Sequence, residues 1–596
     1  MRICCLGGGP GGLHFAGLVK RARPADEVVV IERERADHTF GFGVVFSDPT
    51  LDTLAEHDPE TYADLLAHCR RWDAIEVRLR GEVVRCHGQG FSAIARKELL
   101  RLLQGRARKV GVELRFETEI DGPALDRLLG EFDLVVAADG VSSRLRRRWP
   151  EQFRPTLVAG ASKFIWFGTT QRFTCLTFLF AENEHGAFAV HAYPFDDQTS
   201  TFIVETDEAS WRAAGLDRNE PGAATDLRSM EYCRRLFADQ LDGHGLLGND
   251  SRWQTFRTLS NESWRHGKVV LLGDAAHTAH FSVGSGTKMA MEDAIALSRA
   301  LATEPTLDAA CARYETERRA AVDRIQRTAG PSLQWWESFG HTMHFAPEPF
   351  TFHFLTRNLR LGRQSLQRRD PRFVAQVDAW SSRTFGSESI LDAPLQLRGL
   401  RLGNRLVATV EGDAREGPLP AAGLILIDGS ELAHVESTRR AGWIAAVGNG
   451  RGRTRRAAVG ARIEADVAAA RLACDAGVDL LELSLALDGP DPVAAFAAVR
   501  RSCPSTTPIA VRSSSPDPSI DLVRALAAAG CDLLTLGPER PGADRAAARD
   551  NGTAGSDRAR NRARIPTCLA RRDAPTLDEA VTLLLAGRCD LVSIEP

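Results

Sequence analysis

No apolar run in this 596-residue chain approaches the roughly 20 residues that span a bilayer, so no membrane anchor is expected. The N-terminus enters an apolar strand at Ile3 and leaves no room for a signal peptide; a cytoplasmic protein is expected. Net charge is only −3, and the basic excess that attracts nucleic acid is missing. The 12 cysteines are scattered, with Cys4-Cys5 adjacent in a strand and no metal-ligand spacing anywhere. That pattern fits free thiols in a reducing compartment and no metal. Lysine is absent after Lys288, which reflects the coding composition of a GC-rich genome and not function. What remains is ordinary globular composition, 43% hydrophobic and 26% charged, over a length that calls for about three domains.

Against these absences stands a glycine run, Gly7-Gly8-Gly9-Pro10-Gly11-Gly12, between the strand Ile3 to Leu6 and a helix expected near Gly12. In such a G-x-G-x-x-G loop, Gly7, Gly9 and Gly12 let backbone N–H groups approach a pyrophosphate at the helix N-terminus. Pro10 belongs to the same loop. Glu32 follows the strand Val28 to Ile31, twenty residues past Gly12, where a carboxylate accepts ribose hydroxyls; Arg33 beside it joins the candidate site. Two further apolar runs end in acids: Phe132 to Asp139-Gly140, and Val269 to Gly273-Asp274-Ala275-Ala276-His277. Ligands of open α/β sheets bind at such strand ends. No second nucleotide domain is expected, so a nicotinamide donor would have to visit the first site.

The three motifs in this order resemble the group A flavoprotein monooxygenases, the para-hydroxybenzoate hydroxylase-like fold. The resemblance implies FAD, with Asp274 on the ribityl chain and Gly284-Ser285-Gly286 near the isoalloxazine ring. Arg96 matches the arginine that opens a helix beneath the cofactor, although a surface-helix arginine would look the same. The implied fold is α/β: a Rossmann-like FAD-binding domain interleaved with an antiparallel-sheet substrate domain. Residues 1–72, 91–156 and 267–327 would form the FAD domain, and 157–266, with part of 73–90, the substrate sheet. Runs of period two, such as Phe188 to Tyr193 and Ser200 to Val204, predict one buried sheet face in that interval. A helical segment would occupy 328–389.

Gly41 to Asp48, Lys163 to Thr169 and Thr278 to Lys288 resemble the narrower branch of salicyloyl-CoA 5-hydroxylase and 2-aminobenzoyl-CoA monooxygenase/reductase. Residues 390–596 resemble more faintly an old-yellow-enzyme barrel: Leu400 to Val407 looks like its first strand. Helix–Ala-Gly–strand units recur around Gly477, Gly530 and Gly587. Only about 200 residues remain against the ~250 of a full (β/α)₈ barrel, so a truncated, TIM-barrel-like remnant is expected. Ser484 and Leu487 stand where that family has histidines, and Arg512 is its one flavin-side residue. No FMN is expected there. Its apolar strands would pack on the first part of the chain or on a second copy, with a homodimer as one outcome.

The family chemistry implies NAD(P)H as reductant, O₂ as co-substrate and oxygen transfer to an electron-rich aromatic ring through a flavin C4a-hydroperoxide. No side-chain nucleophile is needed; the protein excludes water and places the ring. His280, six residues past Asp274, is a candidate for the hydroperoxide or a ring substituent, or else a packing residue. His191 and Tyr193 share one strand face and are candidates for the ring pocket, or for bonds within a solvated face. Trp166, Trp335 and Trp336 read as core, and His277 as structural. The substrate is expected to be a small aromatic, either an aryl-CoA such as salicyloyl-CoA or an indole or other heteroaromatic intermediate; no basic cluster marks a CoA diphosphate. The alternatives are a flavin-dependent halogenase or reductase on the same fold, or a non-catalytic flavin-bearing assembly protein. The W-x-W-x-I-P signature of the halogenases is absent.

Overall fold

The apolar runs beside the glycine loop become neighbouring strands of one mainly parallel sheet. In the computed structural model its order is Arg265–His266, Val269–Leu271, Leu134–Ala137, Arg2–Leu6, Glu27–Ile31 and Glu113–Arg115. Only the Arg265–His266 edge is antiparallel. The four central strands bury nearly every residue, as strands covered by helices on both faces must. The helix Pro10–Ala22 packs on Arg2–Leu6 and Glu27–Ile31, and Arg96–Lys109 and Gly286–Thr303 pack against that helix. The first helix begins at Pro10, two residues before the expected start, because proline lacks the N–H that the first turn cannot pair anyway.

The structure describes residues 1–218, 224–283, 286–411, 422–428, 457–513, 515–537, 552–570 and 575–594. The chain divides into two units, Met1–Gly340 and His341–Pro596. The helix Leu307–Trp336 runs through the expected boundary at 327/328 and stays with the first unit.

A second sheet of the first unit has the order Leu246–Leu247, Pro155–Thr169, Ser200–Thr206, Gly186–Pro194, Leu176–Asn183, Ile75–Leu79 and Glu82–Cys86. Gln254–Asn261 pairs with Pro155–Thr169 as well. It is antiparallel except where Leu176–Asn183 meets Ile75–Leu79. The expectation of one buried face needs correcting, since every residue of Ser200–Thr206 is buried. One face packs Ile165, Phe167, Leu179, Val190, Phe202 and Val204 with the residues of a helical layer. The other carries Phe178, His191, Tyr193 and Glu205, also buried, so both faces are covered and the period of two separates two interiors.

The expectation of a truncated barrel is overturned in the second unit. Eight parallel strands close on themselves, from Leu406–Glu411 through Leu424–Asp428, Ala458–Glu464, Leu480–Leu485, Ile509–Ser513, Leu533–Leu536 and Thr567–Ala570 to Leu591–Ile594. Val407 pairs with Ser593 to seal the ring. Closure depends on strand number and stagger, not on residue count. The length is saved in four-residue strands and in helices of nine residues, Val467–Asp475, Ile520–Ala528 and Leu577–Leu585. The hairpin Leu395–Leu397/Leu400–Leu402 adds Leu397 and Leu402 to an interior cluster with Val407, Leu424, Leu480, Leu533 and Leu591. A polar layer also lies in the barrel: Arg462 donates to Glu482 at 2.6 Å and to Thr409 at 3.1 Å, and Thr535 donates to Glu482 at 2.7 Å. Arg512 lies half-buried on the next strand, and Leu487 is buried.

Candidate FAD and substrate site

Register places the sequence motifs side by side. Leu6 pairs with Ile31 on one side and with Ala137 on the other, and Ala137 pairs with Leu271. The next residues of these strands therefore emerge along one edge: the loop at Gly7, Glu32, the turn at Asp139, and Gly273-Asp274. This is the carboxyl edge where open sheets bind ligands.

Each motif residue has a local physical reason. Gly7 has φ +113°, and a Cβ there would overlap the carbonyl oxygen of Ala138. A Cβ on Gly12 would overlap the Gly7 oxygen, so these two glycines let loop, strand and helix close together. Gly9 differs: it caps the helix at φ −74°, and its Cβ would meet nothing within 4 Å. The helix it opens has neither a side-chain cap nor an acidic residue in its first turn, so its N–H groups and positive dipole end remain for an anion. Glu32 accepts the Gly8 N–H at 2.7 Å on one oxygen and the Glu34 N–H at 2.9 Å on the other. Each oxygen keeps a second lone pair for a hydroxyl donor. Arg33 points to solvent and pairs with Glu34 at 3.1 Å.

Asp139 accepts the Arg144 N–H at 2.8 Å through Oδ2, while its buried Oδ1 has no hydrogen-bond partner. Burial raises its carboxyl above the usual range, opposed by hydrogen bonds from Ser143 and Arg144. Asp274 remains accessible at the strand end, yet the surrounding protein desolvates its carboxylate and raises it, with His277 and Arg96 opposing. Arg96 is the first residue of its helix, lies over the Phe40 ring at 4.6 Å and donates to Thr39 at 2.9 Å. Desolvation lowers its guanidinium, and Asp274 counteracts this. The open space at Gly9, the orphaned Asp139 oxygen and the free carboxylate of Asp274 fit a dinucleotide with a polyol chain. Gly284 and Ser285 lie outside the described residues; Gly286 opens the helix Gly286–Thr303.

A family model described as an FAD binding domain matches residues 1–329. The chain belongs to this FAD-binding family. It is 51% identical over 423 residues to a salicyloyl-CoA 5-hydroxylase of Streptomyces sp, covering 70% of this chain and 80% of that protein. It is 37% identical over 336 residues to a 3-hydroxy-4-methyl-anthranilyl-[aryl-carrier protein] 5-monooxygenase of Streptosporangium sibiricum, covering 56% of this chain and 89% of that one. A protodeoxyviolaceinate monooxygenase of Chromobacterium violaceum is 32% identical over 368 residues, 61% of this chain and 95% of that protein.

Within this FAD-binding chain, the loop after Asp274 is anchored by residues that the sequence reading missed. Asp293 is fully buried; it accepts the Gly273 N–H at 3.1 Å, meets His277 Nε2 at 2.7 Å and receives Arg318 Nε at 2.8 Å. Burial pushes its carboxyl up, but His277 and Arg318 hold it below the usual range. His277 is thus a structural part of the motif.

The same loop brings His280 to His191. Both are buried, and between them lies Glu205, with no exposed surface. His191 Nε2 is 3.0 Å from one Glu205 oxygen, and His280 Nε2 is 3.4 Å from the other. Tyr193 stands apart from this cluster. Its hydroxyl donates to the Gly43 carbonyl at 2.9 Å, its ring stacks on Trp72, and burial raises its phenol. Trp336 lies 4.2 Å from the His191 ring centroid and is core together with Trp335. Trp166 is half-buried beneath Gly41, with an indole N–H that has no partner. A sequence signal for Glu205 did exist: an acid inside the apolar run Ser200 to Thr206 must be paired if that run is a buried strand.

Proposed function

We propose that this protein is an FAD-dependent, NAD(P)H-consuming aromatic monooxygenase whose substrate is an aryl thioester of the salicyloyl-CoA type. The observation that carries this reading is the alignment of Gly9, Glu32, Asp139 and Asp274 along one sheet edge in a member of the FAD-binding family. In this reading residues 1–72, 91–156 and 267–327 hold the cofactor and 157–266, with part of 73–90, the aromatic ring.

The helix N-terminus behind Gly9 would bind the pyrophosphate, Glu32 the ribose, and Asp274 the ribityl hydroxyls, with Arg96 beneath. When bound, FAD supplies electron transfer from NAD(P)H and activation of O₂. The chain's own work is placement. The covered inner face of the second sheet excludes water, and Tyr193 and Trp72 wall the side nearest Arg96. His191 and His280 set their Nε2 atoms beside Glu205 within the same covered face. Incubating the FAD-loaded protein with NAD(P)H, O₂ and salicyloyl-CoA tests the reading. A product one oxygen heavier is expected, and NAD(P)H oxidation that the acyl-CoA does not stimulate would refute the substrate.

A further inference from the structure

Three polar side chains from three separate segments converge on the buried carboxylate of Glu205. Ser162 Oγ donates at 2.9 Å, His191 Nε2 lies at 3.0 Å, and His280 Nε2 makes an ion-pair contact at 3.4 Å that lacks hydrogen-bond geometry. Ser162 sits where the pairing of Pro155–Thr169 with Gln254–Asn261 slips between Ala159 and Lys163, an irregularity of the kind that re-aims a side chain. His191 comes from the neighbouring strand, and its direct cross-strand partner is Ile203, two residues before Glu205 on the same face. His280 comes from the segment that follows Asp274.

The hydrogen-bond pattern assigns the ring protons. A carboxylate only accepts, so His191 carries a hydrogen on Nε2. The Ser282 N–H donates to His280 Nδ1 at 3.3 Å, so Nδ1 accepts, and in the neutral ring the hydrogen lies on Nε2, facing Glu205. The ionisable groups acting on Glu205 are these two histidines. Around them stand Phe178, Phe281 and Trp336 beside His191, and Phe256 and Phe281 beside His280. The Ser282 hydroxyl contacts His280 Nδ1 at 2.8 Å and the Ser332 hydroxyl at 3.0 Å. Burial pushes the Glu205 carboxyl up, but His280 and His191 hold it at about 2, so it remains an acceptor at any working pH.

We propose that Glu205 is a positioning residue of the oxygenation site: it fastens the segment Thr278–Ser282 to the substrate sheet and so sets where the aromatic ring stops relative to the flavin. This rests on the reading above that the flavin lies beside the segment following Asp274. Glutamine at this position keeps the volume but offers an NH₂ toward groups that are themselves donors. One imidazole must then turn away, which loosens the hold on His280 while Thr278 stays bonded to Arg257 and Leu259.

The test compares the FAD-loaded wild type with E205Q and E205D. One readout needs no substrate: FAD content per chain, with the visible circular dichroism of the bound flavin. FAD content should stay near wild type, because Glu32, Asp139 and Asp274 are untouched, while the flavin band changes in E205Q. With salicyloyl-CoA as probe, oxygenated product per NAD(P)H should fall at least fivefold and peroxide release should rise. E205D keeps the acceptor charge and should recover part of the loss. A folded E205Q with unchanged flavin band and coupling overturns the proposal. So does a wild-type activity limb between pH 4 and 6 that vanishes in E205Q, since Glu205 would then titrate as an acid–base group. If E205Q does not fold, S162A removes one donor without changing charge; smaller shifts in the same direction are expected, and none would overturn the proposal. If the wild type does not oxygenate the probe, the functional reading fails, and the flavin band still decides the role of Glu205.

Discussion

Gly7 and Gly9 stand two residues apart in one loop, yet alanine should fail at them for different reasons. A Cβ on Gly7 would overlap the Ala138 carbonyl at a φ of +113° that side chains avoid. The strain alone costs about 1–3 kcal/mol, and relieving the overlap must pull the loop from its strand. G7A should therefore destabilise the apoprotein. Gly9 has an ordinary φ of −74°, and its Cβ would enter open space. As a helix cap, alanine is worse than glycine by roughly 0.5–1 kcal/mol, but the stiffer unfolded chain returns about 0.4–1 kcal/mol. Apoprotein stability of G9A should thus stay within about 0.5 kcal/mol of wild type. The methyl group would occupy the space that a pyrophosphate must reach. Losing one charge-assisted N–H bond costs about 1.5–3 kcal/mol, or about 10- to 150-fold in FAD affinity. Thermal melts of the apoproteins and FAD titrations by flavin fluorescence read both quantities. Wild-type FAD affinity in G9A, or a large loss of apoprotein stability, would refute this division of labour.

Asp274→Ala should weaken FAD retention by a similar factor through loss of acceptors for ribityl hydroxyls; unchanged affinity in the folded variant would remove that role. His280→Ala should keep FAD but release more peroxide per NAD(P)H, and an unchanged coupling ratio with saturating substrate would make His280 a packing residue alone. Glu205 titrates near 2 when folded and near 4.5 when unfolded, so its stabilising contribution is present above about pH 5 and is lost as pH falls toward 2. E205Q should flatten that part of the acid-unfolding curve, and an identical curve would refute the linkage. The intact protein should release one FAD per chain and no FMN on denaturation; a second flavin would make the barrel a working site.

The glycine loop and the strand ends beside it were legible because their signals are local. Gly7, Gly9 and Gly12 answer to contacts within one strand–loop–helix turn, and Asp139 and Asp274 are marked by the apolar strands they terminate. The anchors behind that edge were not legible. Asp293 reaches Gly273 and His277 from 16 or more residues away in sequence, and Arg318 backs Asp293 from a second helix. His191 and Glu205 share a face only once the register of two strands is known. The barrel was misjudged because its length was compared with an average that includes longer helices, whereas helices of nine residues still cover four-residue strands. The histidines were singled out as groups for the substrate or for packing, and the fold sets both Nε2 atoms beside Glu205.

The most direct measurement of the central claim is isotopic. The FAD-loaded protein, given NAD(P)H, salicyloyl-CoA and ¹⁸O₂, should yield an aryl product two mass units heavier than the one formed in ¹⁶O₂, with the label on the ring. A product without label, or label recovered only as hydrogen peroxide across the candidate aromatic substrates, would contradict the account.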